Sequence, residues 1–399
     1  PGNMASSPMK IKLVHITTVP QTLAFFQGQV GFLRDRGFEI SAISSPGGPG
    51  DEFSKKEGIP IHPVRMSRGI DLGRDLMAFV RLWLALRRTR PDIVHAHTPK
   101  AGLLGVLAAR WAGIQVIMLS VFGLAQMTMR GPKKTMMDAL TRLSCACAHK
   151  VWCDSGSMRD FLVRNKLCFE DKVVVMGEGS VNGVDAEGTF SPARYGADFR
   201  AGMRARLGIP ERAVVLGFSG RIARDKGMHE MAEAWRMLSA KRQDLHLVLI
   251  GSLEDRDPPE TQDLRLFESE PRIHLVGFQQ DVPSYLAVID IFVMPSYREG
   301  FGLANIEASA MGLPVVSTRI PGCVDSVKDG QTGLLVPPKD AERLAEAIEL
   351  YLDDPELRRT HGQAGRQRAL RDFRPESIWQ DLFEEYRALM DNAAGSRRA

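Results

Sequence analysis

Two segments in the second half of the chain carry side chains that could bind a charged, hydroxyl-rich ligand. In SGRIARDKG a β-branched run ending at Ser219 turns through Gly220 into a loop holding Arg221 and Lys226, followed by Gly227 and a helix. Met228, Met231, Ala232, Trp235 and Leu238 share one face of that helix, so packing fixes its amino end. Free N–H groups and a positive dipole at a helix amino end, beside an Arg fork and a Lys point charge, suit a diphosphate. Taken alone, an R-x4-K pair reads more readily as a solvated loop. The second segment, PSYREGFGLANIEASAMGLPVV, shifts that balance. Its Glu299-Gly300-Phe301-Gly302-Leu303 turn follows a strand end, and the next helix carries Glu307. Gly300 and Gly302 let backbone amides approach a ligand closely. Glu307 lies about two helical turns past Glu299, so both carboxylates can face one cleft. Each can accept from two vicinal hydroxyls, as acidic residues read ribose or sugar rings. The bland alternatives are a helix cap at Glu299 and a solvated face at Glu307. They fit poorly, because Ile306, Ala308, Ala310 and Met311 surround Glu307 with apolar residues and an unpartnered buried carboxylate is costly.

The elements that must position these residues follow from periodicity. Short β-branched runs alternate with amphipathic stretches along nearly the whole chain, the pattern of parallel sheets with crossover helices. Strands are expected at 10–18, 38–45, 59–66, 92–98, 115–122, 150–155 and 172–177, then at 213–220, 244–251, 272–278, 290–295, 314–318 and 333–336. Residues 186–212 lack clear periodicity until a short helix at 200–207, and the linker is expected there. Pro375-Glu376-Ser377 reads as a helix start, with Ile378, Leu382, Phe383, Tyr386 and Leu389 on one face of a long terminal helix. Both chemistry-bearing segments follow carboxyl ends of parallel strands, where open α/β sheets place ligands, so they are expected to form one site. Its cations, glycine amides and two carboxylates suit a sugar nucleotide without a metal.

Composition bounds the rest. With 399 residues, 44% apolar and 25% charged, the chain is a soluble globular protein of at least two domains, which excludes a disordered, collagenous or coiled-coil chain. The uncharged stretch 111–129 contains Gly113, Gln115, Ser120, Gly123, Gln126 and Thr128 and is too polar for a membrane helix. PGNMASSPMK lacks the apolar core of a signal peptide, so the expected compartment is the cytoplasm. Cys145, Cys147, Cys153, Cys168 and Cys323 form no CxxC pair, which argues against a disulfide framework and a structural zinc site. Lys and Arg outnumber Asp and Glu by 24 to 16 over residues 1–190 and are outnumbered 28 to 32 over 191–399, giving +8 against −4. Aromatic residues are only 7%, and no nucleic-acid-binding signature accompanies the basic half, so a membrane surface or phosphorylated lipid is expected rather than nucleic acid.

G-R-x4-K-G at 220–227, E-G-F-G-L-x3-E at 299–307 and the following MGLPVVST and DGQTGLLVPP together resemble the retaining glycosyltransferases of family 4. PDIVHAHTPKAGLLG and GEGSVNGVD extend the likeness through the first half. The resemblance implies an α/β, GT-B architecture, two Rossmann-like parallel-sheet domains facing each other across a cleft. Residues 9–190, with a returning helix at 376–392, would bind acceptor, and 200–375 the nucleotide sugar. It puts Gly220, Arg221 and Lys226 at the donor diphosphate, Glu307 on the ribose hydroxyls and Glu299 on the transferred sugar. Gly300, Phe301, Gly302 and Leu303 would supply backbone donors, and Gly277-Phe278 would border the base. Arg221 and Lys226 would then stabilise the departing diphosphate in place of a metal, with no cofactor.

Two positions depart from the family pattern. Thr17-Thr18-Val19-Pro20 stands where many relatives carry a glycine pair, and Phe122 where many carry a His. His97, in HAHT at a strand end, is the remaining candidate for a catalytic histidine over the cleft, while His95 reads as a core residue. Thr18, Arg68, His97, Lys100 and Phe122 form the expected acceptor side. TTVPQTL, HTPKAG and GSVNGVD are similar to enzymes of bacterial capsule, exopolysaccharide and O-antigen assembly, which implies a UDP-linked donor and a polyprenyl-diphosphate-linked acceptor at the inner membrane face. Arg65, Arg68, Arg74, Arg81, Arg87, Arg88 and Arg90 gather around one helix with Phe79, Leu82, Trp83 and Leu86, a candidate membrane-contact surface. The competing readings are a metal-dependent transferase using Asp255-Arg256-Asp257, an epimerase or phosphorylase of the same architecture, and a non-catalytic nucleotide-sugar-binding protein.

Overall fold

The computed structural model describes residues 10–67, 69, 71–255 and 257–396. The chain separates into two compact units, residues 1–182 with 375–399, and residues 183–374.

The first unit is built on strands β1 (Ile11–Ile16), β2 (Phe38–Ser44), β3 (Ile61–Pro63), β4 (Ile93–Ala96), β5 (Val116–Val121), β6 (Lys150–Cys153) and β7 (Val173–Val175). They pair in parallel in the order β3-β2-β1-β4-β5-β6-β7. Each expected strand is present but shorter at its ends, most of all 59–66, where only Ile61–Pro63 joins the ladder. Central strands are buried on both faces, as parallel strands flanked by helices must be: every residue of β4 and β5 is buried. The order reverses between β1 and β4, which leaves a crevice at their carboxyl ends.

One face of this sheet is covered by the terminal helix Pro375–Ser396. Ile378, Leu382 and Tyr386 pack among Leu13, Phe38, Ile93, Met118 and Trp152. The Tyr386 hydroxyl lies 2.6 Å from His95 Nδ1, and Asp381 accepts from the Gly177 amide at 2.8 Å.

The second unit holds β8 (Val214–Ser219), β9 (Leu245–Ile250), β10 (Ile273–Gly277), β11 (Ile291–Met294), β12 (Val315–Thr318) and β13 (Gly333–Val336). Their order is β10-β9-β8-β11-β12-β13, again parallel, with the reversal between β8 and β11. The stretch 186–212 is part of this unit: Phe190, Tyr195 and Leu207 pack against its core, and Ala197–Leu207 is helical. Arg204, almost fully buried, is satisfied by Asp290 at 2.8 Å and by the Val288, Glu211 and Ala213 carbonyls. No described helix is long and apolar enough to cross a membrane.

Candidate functional site

In the second unit the two chemistry-bearing loops follow β8 and β11, the adjacent strands at which the order reverses, and they touch. Lys226 Nζ lies 2.5 Å from Glu299 Oε1, with both side chains largely buried. Asp225 ties the same loops a second time: its carboxylate accepts from Arg298 at 2.9 Å and Arg221 at 3.4 Å, and its carbonyl accepts from the Tyr297 amide. Arg221 is further held by Glu254 at 2.9 Å. Asp257 accepts from the Asp225 amide at 3.2 Å, so half of the Asp255-Arg256-Asp257 motif braces the Arg221–Lys226 loop; Arg256 lies outside the described residues.

Close backbone approach sets this geometry. Gly227 has φ +71°, and a Cβ there would stand 2.0 Å from the Pro295 carbonyl oxygen. Gly227→Ala therefore forces a left-handed alanine and pushes the end of β11 away from Lys226. An expected cost of about 1–3 kcal/mol from the backbone alone lowers the melting temperature by roughly 5 °C or more, which a thermal scan of parent and variant reads. The strand ends beyond β8 are stitched together as well. The Gly220 amide donates to the Ile250 carbonyl and the Gly251 amide to the Gly277 carbonyl, each at 2.9 Å. Phe278, the next residue, is 71% exposed, a ring standing free at the edge of the site.

The Leu303–Ala310 helix starts at Gly302 (φ +75°). Phe301 is buried and meets Phe373 edge-on at 5.4 Å, which anchors the Glu299–Gly302 turn from below. Asn305 is fully buried and donates to Ser326 at 3.0 Å, locking the first turn of the helix. Glu307 is part-buried by accessible area, and its carboxyl makes no hydrogen bond or ion pair with a described residue. Protein atoms crowd it closely enough that desolvation pushes its pKa up to about 7.

In the first unit, Thr18 and Thr98 follow β1 and β4, also the strands flanking a reversal. Their hydroxyls lie 2.7 Å apart, and Thr18 Oγ1 accepts from the Ala101 amide at 3.1 Å. Thr98 holds φ +68°, a left-handed backbone unusual for a β-branched residue and costing on the order of 1–3 kcal/mol. Lys100 reaches Asp75 at 2.5 Å, Ser67 at 3.1 Å and the Gly69 carbonyl. Arg68 lies outside the described residues.

His97 is fully enclosed. Its Nε2 lies 3.0 Å from His15 Nδ1, its ring centroid is 4.1 Å from that of His95 and 4.4 Å from that of Phe26, and its Nδ1 is buried without a partner among the described residues. Burial holds the His97 and His95 imidazoles well below their usual range, and His15 down to about 3, so all three are neutral at pH 7. His95 is satisfied by Tyr386 and, at 2.7 Å, by Ser120. Phe122 meets Trp152 edge-on at 5.1 Å. Beside these residues lies a cavity of about 620 Å³ contained in this unit and lined by Thr18, Lys100, Phe122, Met137 and Leu140 among others.

Sequence reasoning missed Asp225, an unspecified position of the G-R-x4-K-G motif, and Glu254, which lies outside both motifs; each meets Arg221 only once the chain is folded. It also missed the exposed apolar residues of the Leu72–Thr89 helix: Leu72, Leu76, Val80 and Leu84, spaced every four residues. That i, i+4 spacing was the available signal.

Residues 199–368 match the family described as Glycosyl transferases group 1, and residues 25–179 the Glycosyl transferase 4-like domain. The capsular polysaccharide biosynthesis glycosyltransferase CapM of Staphylococcus aureus is 30% identical over 384 residues, 96% of this chain and 99% of that protein. UDP-Gal:alpha-D-GlcNAc-diphosphoundecaprenol alpha-1,3-galactosyltransferase of Escherichia coli is 27% identical, covering 89% of this chain and 91% of its own length. Among solved structures, Anabaena Alr3699/HepE in complex with UDP-glucose superposes with a TM-score of 0.78 at 19% identity over 95% of this chain and all of its own, a likeness of fold.

Proposed function

This chain belongs to the group 1 glycosyl transferases and has their GT-B fold, and on that premise we propose that it moves a hexose from a UDP-linked donor to a saccharide carried on polyprenyl diphosphate, with retention of configuration and without a metal. The observation that carries this reading is the Lys226–Glu299 contact, which brings the cation proposed for the phosphate against the carboxylate proposed for the sugar at the reversal of one sheet. The solved complex with UDP-glucose supports the donor class, and the diphosphoundecaprenol relative supports the acceptor class.

In the proposed reaction the acceptor oxygen bonds to the anomeric carbon as the bond from that carbon to the phosphate oxygen breaks on the same face. The electron pair leaves with the diphosphate, which takes the acceptor proton. Arg221 and Lys226 meet the charge that develops there, a role in which fixed cations do most in the transition state. Glu307 accepts from the ribose hydroxyls, Glu299 from the sugar, and the amides of the Gly300–Leu303 turn donate to hydroxyls and phosphate, with Phe278 bordering the base. His97, enclosed among rings, is a positioning residue for the Thr98 turn, where Thr18 and Lys100 meet acceptor.

A thermal-shift panel of nucleoside diphosphates and their sugars, with and without divalent metal or chelator, tests the donor reading. UDP species are expected to raise the melting temperature irrespective of metal. No shift with any nucleotide, or a shift abolished by chelator, would overturn it.

The same reading places the enzyme at the cytoplasmic face of the plasma membrane. Arg81, Arg87 and Arg88 are exposed on the Leu72–Thr89 helix, and cations near anionic lipid contribute on the order of 1 kcal/mol each. Neutralising all three is expected to weaken sedimentation with anionic vesicles; binding equal to the parent's would remove these residues from the contact.

A further inference from the structure

The cavity in the first unit differs in chemistry from a sugar site. At about 620 Å³ it falls within the range that takes a small organic ligand. Its walls are mainly carbon: Val19, Phe25, Leu103, Leu124, Met137 and Leu140. The polar groups that line it are already spent inside the protein. Gln126 donates to Thr141 at 2.8 Å, Thr141 and Ser144 each donate to a carbonyl one helical turn earlier at 2.9 Å, and Ser120 is bonded to His95. A sugar would find few partners on such walls, whereas hydrocarbon would strand no polar group.

Two further features fix what kind of hydrocarbon ligand fits. One corner is polar, where Lys100 is ion-paired with Asp75 at 2.5 Å beside the Thr18–Thr98 hydroxyl pair, so the polar end of an otherwise apolar molecule belongs there. Leu72, also in the lining, is 83% exposed and begins the stripe Leu72, Leu76, Val80, Leu84 along one side of its helix. At 1.5 Å per residue that stripe runs about 18 Å, comparable with the roughly 15 Å hydrocarbon depth of one bilayer leaflet. A long apolar chain can therefore stay in contact with carbon from the lipid to the pocket.

We infer that this pocket seats the first isoprene units of the lipid-linked acceptor, with its polar head toward the Lys100–Asp75 corner and the remaining chain leaving past Leu72. The inference rests on the acceptor class proposed above and adds the place where its lipid is read. All of the pocket's lining residues belong to the first unit.

Farnesyl diphosphate is the probe, with UDP present to fill the nucleotide site, inorganic diphosphate as the head alone and dodecyl phosphate as a linear chain. Farnesyl diphosphate is expected to raise the parent's melting temperature, and the two controls to do so far less at equal concentration. Leu140→Trp, which fills the pocket, is expected to raise the apparent Kd for farnesyl diphosphate by about tenfold or more, the loss of roughly two buried methylenes' worth of contact. Met137→Trp gives the same reading if Leu140→Trp does not fold, and the UDP-glucose shift reports folding of each variant. Equal farnesyl diphosphate binding by parent and filled variants, or dodecyl phosphate binding as tightly as farnesyl diphosphate, overturns the inference. A UDP-glucose shift without a farnesyl diphosphate shift overturns the pocket while the donor reading stands; the reverse overturns the donor reading while the pocket stands.

Discussion

Lys226→Ala is expected to lower kcat/KM for sugar transfer by about 10²–10³-fold, the loss that follows removal of one preorganised group facing developing negative charge. The side chain is only 15% exposed and sits against Glu299, so the ammonium is already desolvated and aimed before any ligand arrives. Its removal acts twice. The leaving diphosphate loses a cation, and the Glu299 carboxylate is left unneutralised where an anionic donor must enter. The double variant Lys226→Ala, Glu299→Gln should therefore recover part of the donor affinity lost in the single variant while kcat stays low. Steady-state kinetics with varied donor separates the two effects, and turnover of Lys226→Ala at the parent's rate would remove this lysine from the transition state.

Glu307→Ala is expected to weaken donor binding by roughly 10- to 100-fold, since hydrogen bonds to a charged group contribute about 1.5–3 kcal/mol. The carboxyl titrates near 7 in the free protein against an ordinary value of 4.5. Between those values the folded chain holds more protons than the unfolded one, so stability falls as pH rises from about 4.5 through 7 and is level above. Donor affinity runs the other way. The ionised carboxylate accepts from both ribose hydroxyls, so binding strengthens as pH rises through 7 and nucleotide binding releases a proton below that point. Calorimetry in two buffers of different ionisation enthalpy reads the proton directly, and Glu307→Gln should abolish both pH trends. A parent whose nucleotide affinity is flat from pH 6 to 8 would break the link between Glu307 and the ribose.

Much of this was legible in the sequence because parallel strands announce themselves. Val116–Val121 and Leu245–Ile250 are short apolar, β-branched runs bounded by turns, and every such run became a strand. The motif loops were legible for a related reason: Gly227 meets the Pro295 backbone too closely for a Cβ, and Gly302 holds a positive φ against crowding side chains, so both positions tolerate few alternatives. Depth was not legible. Alternation placed His97 on the same face as His95, but the Pro20–Phe26 turn that covers it lies about 70 residues earlier in the chain, and no local pattern declares that contact. The Leu72–Thr89 helix was read as having one apolar face; Ala78, Leu82 and Leu86 form it, and the exposed stripe is a second. Charge partners such as Asp225 with Arg298 join residues 73 apart and exist only once both strands are in register.

The terminal helix has a consequence for biosynthesis. It supplies Ile378, Leu382 and Tyr386 to a core whose other members lie before residue 177, so nearly two hundred intervening residues must leave the ribosome before that core can close. Until then Phe38, Ile93 and Trp152 face solvent on a nascent sheet, and His95 waits for the Tyr386 hydroxyl. The second unit, continuous in sequence, needs no part of the terminal helix to complete its core. A released chain truncated before residue 375 should therefore protect the second unit from protease and leave the first open to cleavage and to chaperone capture.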